Sequence, residues 1–81
     1  MRLDKFLKVC GIIKRRTISQ EVIELGGVTK NGRTLKPSYD VKVGDILTIK
    51  MKNETVTIKV TALPEKNEKG NYFEIYRGDK N

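Results

Sequence analysis

The first apolar repeat in the chain has the spacing of one face of an α-helix. The repeat consists of Leu3, Phe6, Leu7 and Cys10. Apolar residues at intervals of three and four predict an amphipathic helix, which we place from Arg2 to about Cys10 with its end near Gly11. At about 100° per residue, Asp4, Lys5 and Lys8 project from the opposite side, so we expect that side to face solvent.

A second helical pattern follows after a short connector. Thr17 and Gln20 have the spacing of a capping box, and Gly26 with Gly27 supplies a left-handed stop. These signals predict a helix from about Thr17 to Leu25. Its apolar stripe would consist of Ile18, Val22 and Leu25, and its outer side would carry Gln20, Glu21 and Glu24.

The remaining sequence has the alternation of β-strands. Asn31-Gly32 suits the positive φ angles of a two-residue turn and predicts a hairpin between Val28–Lys30 and Arg33–Leu35, stopped by Pro37. Further alternation predicts strands over residues 46–51, 56–60 and 72–76, a polar loop over 64–71 and a frayed end over 78–81. The fold class is therefore α+β, with two short packed helices against a small, mostly antiparallel sheet and a C-terminal strand extension.

The length of the chain limits its organisation. Its 81 residues suit one domain, with a core at about 2–50 and C-terminal strands at about 55–77. No apolar run approaches the ~18 residues needed to span a bilayer, and charged residues interrupt the N-terminus where a signal peptide requires an apolar core. We therefore expect a cytoplasmic protein with no membrane partner.

The residue types that support most enzyme chemistry are scarce. The chain has no His and a single cysteine, Cys10, which leaves no internal disulfide and no plausible zinc site. Because Cys10 belongs to the apolar repeat, a buried thiol is favoured over a reactive one. Ser19 and Ser38 have no evident activating partner, and no glycine-rich phosphate loop occurs. We expect no enzymatic activity, no cofactor and no bound metal.

The charge of the chain is concentrated in its first part. Seventeen Lys and Arg against ten Asp and Glu give a net charge of +7. Residues 1–52 hold twelve basic and five acidic residues, whereas residues 53–81 hold five of each. Such a field favours polyanionic partners through phosphate contacts and counterion release. Nucleic acid is the leading partner, and the alternative is a basic surface that only solvates the domain.

Two groups of basic residues form candidate binding sites. Lys14-Arg15-Arg16 precedes the second helix, where unpaired N–H groups and the positive end of the dipole favour an anion. The alternative is that these charges solvate a turn. The hairpin displays Lys30, Arg33 and Lys36 around one bend. Tyr39 follows in a loop, where packing over the sheet edge is favoured over stacking on a base.

Five short segments have the order and spacing of a known family. They are Arg2-Leu3-Asp4-Lys5-Phe6-Leu7, Lys14-Arg15-Arg16-Thr17, Gly27-Val28-Thr29-Lys30-Asn31-Gly32, Lys36-Pro37 and Val43-Gly44-Asp45-Ile46. Together they resemble the S4 RNA-binding domain over roughly residues 2–50. The resemblance implies a compact S4-like α+β domain in which the first two helices and the following hairpin contact structured RNA.

The same resemblance implies which residues contact RNA. By family position they are Arg2, Lys5, Lys14, Arg15, Arg16, Thr17, Lys30, Asn31 and Lys36. Asp4 would orient its basic neighbours. Lys8 and Arg33 join the candidate set as basic residues of the first helix and of the hairpin. Recognition of shape and phosphate should dominate, because side chains read the deep major groove of folded RNA poorly.

Within that family, the chain resembles the single-domain members that act in bacterial ribosome-associated quality control and are related to small heat-shock ribosome-binding proteins. This implies binding to large-subunit rRNA and P-site tRNA on stalled large subunits, in support of C-terminal tailing of the nascent chain. It also implies a monomer off the ribosome, with a tRNA-recruiting quality-control factor as candidate partner. Two alternatives stay open: a general rRNA-binding assembly or heat-shock recycling accessory, and a protein-interaction adaptor with a basic face.

Overall fold

The computed structural model describes residues 1–52, 54–64 and 71–80, excluding the side chains of Arg16 and of residues 77–80. Within these ranges the chain forms two helices followed by five strands. The helices are α1, Leu3–Val9, and α2, Arg16–Glu24. The strands are β1, Val28–Lys30; β2, Arg33–Thr34; β3, Ile46–Lys50; β4, Glu54–Val60; and β5, Phe73–Lys80.

The five strands form one sheet in the order β2-β1-β3-β4-β5, and each neighbouring pair is antiparallel. One face of the sheet carries the strand residues of the core, as the alternation predicts. The core combines Leu3, Phe6 and Leu7 of α1 and Ile23 of α2 with Val28, Leu47, Ile49, Ile58 and Val60 of the strands. The predicted α+β class, with two helices against an antiparallel sheet, is confirmed.

The β1–β2 hairpin forms where Asn31-Gly32 predicts it. Asn31 has φ 53° and Gly32 has φ 79°, and both values lie in the left-handed region that a two-residue hairpin turn requires. Lys30 and Arg33 face each other across the ladder. Strand β2 is only two residues long, shorter than predicted.

The last strand is longer than its sequence indicates. Strand β5 runs to Lys80, which pairs with Glu54, so the prediction that Gly78 and the residues after it would fray is wrong as far as Lys80. The long edge of β4 supplies backbone hydrogen-bond partners along β5 as far as Lys80, and the local sequence of β5 does not reveal them. Of the predicted polar loop, residues 65–70 lie outside the described residues, and so does Asn81.

The orientation of α2 differs from the predicted one. Ile18 and Leu25 are 43% and 87% exposed, whereas Ser19 and Ile23 are buried. The predicted apolar stripe is therefore wrong at Ile18 and Leu25 and right at Val22, which packs against the core. The capping box is also wrong, because the N-cap residue is Arg15 and not Thr17, and the amide of Gln20 bonds to Asp4 of α1. Gln20 therefore faces α1, not solvent.

The end of α2 confirms the predicted stop and separates the roles of its two glycines. Gly26 has φ +80°, and Gly26 N and Gly27 N donate to the carbonyls of Ile23 and Val22 at 3.0 and 2.8 Å. Gly27 instead allows close approach, since a Cβ there would lie 2.7 Å from Val22 O and 3.1 Å from Lys50 O. A side chain at Gly27 would push α2 away from β3.

Candidate nucleic-acid interface

A buried carboxylate joins the starts of the two helices. The side chain of Asp4 is fully buried, so the expectation that it projects into solvent is wrong. Oδ1 accepts hydrogen bonds from Arg2 Nε at 3.2 Å and from the Lys5 backbone N–H at 2.8 Å, and Oδ2 accepts from Arg2 Nη2 at 3.3 Å and Gln20 Nε2 at 2.9 Å. These four donors offset the cost of burying the charge.

Asp4 fixes an arginine at the surface. The Arg2 side chain is 51% exposed, yet its guanidinium is bonded to both oxygens of one carboxylate. A pre-oriented guanidinium loses less side-chain entropy when it binds an anion. The structure therefore gives Asp4 the geometry of an orienting residue, while Arg2 is available to a ligand.

The loop after the hairpin packs against the start of α1. Leu3 N donates to Tyr39 O at 2.9 Å, and Asp4 N donates to Pro37 O at 3.3 Å. The terminal amine of Met1 donates to Asp40 Oδ1 at 2.8 Å, and this hydrogen bond holds the pKa of Asp40 below its usual value. These contacts hold the loop against the start of α1, whereas Lys36, the residue before Pro37, lines a groove at the end of α2.

Helix α2 also contacts the start of α1. Gln20 is the fifth residue of α2, so its contact with Asp4 is made from a position about one helical turn after the helix start, a rise of about 6 Å along the axis. Lys14, Arg15 and Thr17 are exposed there. Arg15 is the N-cap residue and its side chain makes no capping hydrogen bond, and a helix start without a cap is suited to an anion.

Lys30 is placed differently from the other predicted cations. Its Nζ donates to Asp45 Oδ1 at 2.9 Å and to the Tyr39 hydroxyl at 3.1 Å, and the Tyr39 hydroxyl donates to Asp45 Oδ2 at 2.8 Å. Tyr39 therefore packs within the protein, as favoured from the sequence. The hydrogen bonds to Asp45 and Tyr39 raise the pKa of Lys30.

Asp45 is the residue of this region that the sequence analysis missed. It is 6% exposed, and the Lys42 backbone N–H also donates to its Oδ2 at 2.9 Å. Burial raises its pKa, but the hydrogen bonds from Lys30, Lys42 and Tyr39 together hold that pKa below the ordinary value. The available signal is the Gly44-Asp45 pair, which by itself indicates only a turn.

The predicted residues therefore fall into three groups. Arg2, Lys14 and Arg15 are exposed near the joined helix starts, and we call these three residues the basic rim, whereas Lys36 is exposed beside the end of α2. Asn31 and Arg33 are exposed on the hairpin, Lys8 and Thr17 on the helices, and Lys5 is half-buried. Asp4 is buried, Lys30 is bonded internally, and Arg16 is described only as the first residue of α2.

Two further features are absent from the described part of the chain. No group of three or more Cys, Asp or Glu side chains there has the arrangement of a metal site. No helix within the same ranges is long and apolar enough to cross a bilayer. The basic rim combines one fixed guanidinium, that of Arg2, with exposed cations before α2, and this chemistry suits phosphate.

Comparison with known sequences identifies relatives over most of the chain. The family model described as "S4 domain" matches residues 1–47. The RQC P-site tRNA stabilizing factor of Bacillus subtilis is 45% identical over 99% of this chain and 96% of the relative. The protein of that name from Listeria innocua is 47% identical over 94% of this chain and 83% of the relative.

Heat-shock relatives extend the comparison. Heat shock protein 15 of Escherichia coli is 38% identical over 80% of this chain but only 49% of that protein. The solved trimeric structure of Heat Shock Protein 15 from Vibrio cholerae superimposes with a TM-score of 0.83 at 26% identity, covering 93% of this chain and 80% of that one. This superposition extends the similarity beyond the residues that the family model matches.

Proposed function

The chain belongs to the S4 domain family, alongside relatives named RQC P-site tRNA stabilizing factor, and from that membership we propose that it binds RNA on the ribosome. The observation that carries the proposal is the arrangement around Asp4. A buried carboxylate fixes Arg2 at the surface, and the same carboxylate accepts from Gln20, about one helical turn after the start of α2. A fixed guanidinium, together with the exposed cations before α2, is suited to RNA phosphates.

The finer proposal concerns the ribosomal substrate. The protein binds large-subunit rRNA and P-site tRNA on stalled large subunits, and it thereby supports C-terminal tailing of the nascent chain. The near full-length similarity to the Bacillus subtilis factor supports this assignment. The protein acts in the cytoplasm as a monomer when off the ribosome, with a tRNA-recruiting quality-control factor as partner. It forms a single S4 domain and catalyses no reaction.

A second candidate function is general rRNA binding during ribosome assembly or recycling after heat shock. The similarity to the heat shock proteins of Escherichia coli and Vibrio cholerae favours it. Both functions use the same basic rim. They are distinguished by whether tRNA on the large subunit strengthens binding of the protein.

Co-sedimentation tests these functions. Wild-type protein is mixed with large subunits carrying peptidyl-tRNA, with empty large subunits and with small subunits. The variants Arg2→Ala, Lys14→Gln and Arg16→Ala remove one cation each. Lys59→Gln is the control, because it removes the same charge from β4 on the sheet face away from the helices. Thermal unfolding of each variant checks that loss of binding is not loss of fold.

Preference for tRNA-bearing large subunits, lost in the three variants and kept in Lys59→Gln, supports the quality-control function. Equal binding to empty large subunits favours the general rRNA function. Binding to neither subunit leaves the adaptor with a basic face as the better hypothesis. Salt dependence separates that adaptor further, because phosphate binding weakens steeply with salt and apolar docking does not.

A further inference from the structure

One predicted RNA-contacting cation is already engaged inside the protein. Lys30 Nζ lies 2.9 Å from Asp45 Oδ1 and 3.1 Å from the Tyr39 hydroxyl oxygen, and the Lys30 side chain is 34% exposed. Arg33 and Lys36 are exposed, and within the described ranges no ion pair or side-chain hydrogen bond engages either of them. Neighbouring cations on one hairpin therefore have different chemistry.

We propose that Lys30 is a positioning residue, held inward by Asp45 and Tyr39, and that the hairpin contacts RNA phosphates through Arg33 and Lys36 instead. The proposal rests on the RNA-binding function proposed above and specifies which cations serve it. It removes Lys30 from the set of contacts that family position implies. Asp45 and Tyr39 contact no RNA in this proposal, and their role is to hold Lys30 inward.

The buried state of Asp45 keeps Lys30 inward. The Asp45 side chain is 8% exposed. Two of the three N–H donors of Nζ are used by Asp45 and Tyr39, whereas the guanidinium of Arg2 keeps donors to spare when bonded to Asp4. If Nζ turned to offer these donors to a phosphate, Asp45 would lose its ion pair while still buried, and an uncompensated buried charge is strongly destabilising. A phosphate contact at the surface is screened by water and salt, so it stabilises Lys30 less than the ion pair with buried Asp45 does. Lys30 therefore stays with Asp45 when RNA binds.

The same contacts join three separate segments. Lys30 belongs to β1, Tyr39 to the loop after β2, and Asp45 directly precedes β3. The ring of hydrogen bonds among them is closed, since Tyr39 accepts from Lys30 and donates to Asp45 at 2.8 Å. It ties the hairpin to the loop that begins near Lys36, and this sets the position of Lys36 relative to Arg33.

Salt dependence distinguishes a contacting cation from a positioning one. Each lysine or arginine that neutralises a phosphate contributes about 1 to the slope of log affinity against log salt. We would measure binding to large subunits over a range of KCl at fixed Mg²⁺ for wild type, Lys30→Met, Arg33→Met and Lys36→Met. Arg33→Met and Lys36→Met should each reduce the slope by about 1. Lys30→Met should lower affinity by a similar factor at every salt concentration, with the slope unchanged.

A charge-matched variant protects the test against misfolding. Lys30→Met leaves Asp45 buried without its ion-pair partner and is at risk of unfolding. Lys30→Met/Asp45→Asn removes one positive and one negative charge, so the net charge stays +7. The carboxamide oxygen that replaces the carboxylate can still accept from Tyr39 and the Lys42 N–H. We expect the wild-type slope for this double variant as well.

A slope reduced by about 1 in the double variant would overturn the proposal, because it would mean that Lys30 neutralises a phosphate. If the wild-type protein shows no salt-dependent binding to large subunits, that result contradicts the proposed function instead. In that case NMR still tests the positioning role. The backbone amide shifts of Asn31 to Thr34 in Tyr39→Phe are compared with those of the wild type. Shifted hairpin amides support the role, and an unchanged spectrum contradicts it.

Discussion

The side-chain amide of Gln20 donates a hydrogen bond to the buried carboxylate of Asp4, with 2.9 Å between Nε2 and Oδ2. This bond crosses from α2 to α1 and fixes the rotation of α2 about its own axis. It explains why Gln20, which the sequence pattern places on the outer side, points inward. It also ties α2 to the carboxylate that holds Arg2, so one polar contact helps to assemble the basic rim.

Removing the amide of Gln20 should destabilise the protein. Gln20→Ala leaves a buried carboxylate with one donor fewer, and a lost hydrogen bond to a buried charge costs about 1–3 kcal/mol. Urea denaturation measures the free energy of unfolding. Glu21→Ala is the control, because Glu21 is the exposed neighbour on the same helix and its truncation should change stability little. Equal effects of the two substitutions would contradict the importance of this contact.

Ser19→Ala should maintain or increase stability. Ser19 is fully buried, and its hydroxyl has no hydrogen-bond partner among the described residues. Replacing a buried, unsatisfied hydroxyl by a methyl group removes a desolvation penalty, and alanine is also the better helix former. We expect a gain of up to about 1 kcal/mol in the free energy of unfolding.

The matched control for that substitution is Ser38→Ala. Ser38 is exposed in the loop after β2, so the same chemical change there should have almost no effect on the thermal midpoint. A clear loss of stability in Ser19→Ala, with Ser38→Ala unchanged, would mean that the Ser19 hydroxyl forms a stabilising contact in solution.

The Asp45 contacts should make stability depend on acid pH. Because hydrogen bonds hold the pKa of Asp45 below its ordinary value of about 3.9 in spite of burial, its ionised form stabilises the folded state. This contribution is fully present above the unfolded pKa and is lost as the pH falls through the lower folded pKa. The wild type should therefore exceed Asp45→Asn in stability at pH 6, and the difference should shrink below about pH 4.

Urea midpoints measured at several pH values for both proteins check this. Asp40 also has a pKa below its usual value, so Asp40→Asn identifies the share of the acid response that comes from the N-terminal contact. A difference between wild type and Asp45→Asn that stays constant down to pH 2 would contradict the role of the Asp45 carboxylate.

Cys10 should react slowly with alkylating reagents. Burial raises the pKa of its thiol to about 12, whereas a free cysteine has a pKa of about 8.5, and only the thiolate is the nucleophile. At pH 8 we expect alkylation by iodoacetamide to be at least about a hundredfold slower than that of a cysteine-containing peptide. Mass spectrometry measures the rate, and unfolding in urea should restore the ordinary one. Fast alkylation of the folded protein would show an exposed thiolate.

Much of the fold is predictable because its signals are local. The spacing of Leu3, Phe6 and Leu7 gives α1, and the requirement for positive φ at Asn31-Gly32 gives the hairpin turn. The stop of α2 follows from Gly26. Each signal depends on residues close in sequence, so no knowledge of distant contacts is needed. The predictions that are wrong, by contrast, concern the cap and orientation of α2, the exposure of Asp4 and the length of β5, which distant partners decide.

The candidate site, too, is partly predictable from local sequence and partly decided by distant contacts. Net charge and the basic run before α2 indicate an anion-binding surface without any structure. Which cations remain available is a different matter, since Lys30 and Arg33 are indistinguishable by residue class and lie on the same hairpin. Only the position of Asp45, fifteen residues beyond Lys30, separates the bonded cation from the exposed one.

The sequence by itself determined the class of the fold, the turns and the sign of the surface charge, because periodicity, glycine conformation and net charge are properties of neighbouring residues. The tertiary structure decided which polar groups are buried together. Asp4 with Gln20 and Asp45 with Lys30 are each bonded across more than a dozen residues, and a buried charge is stable only where such partners converge. That convergence fixes Arg2 at the surface and turns Lys30 inward.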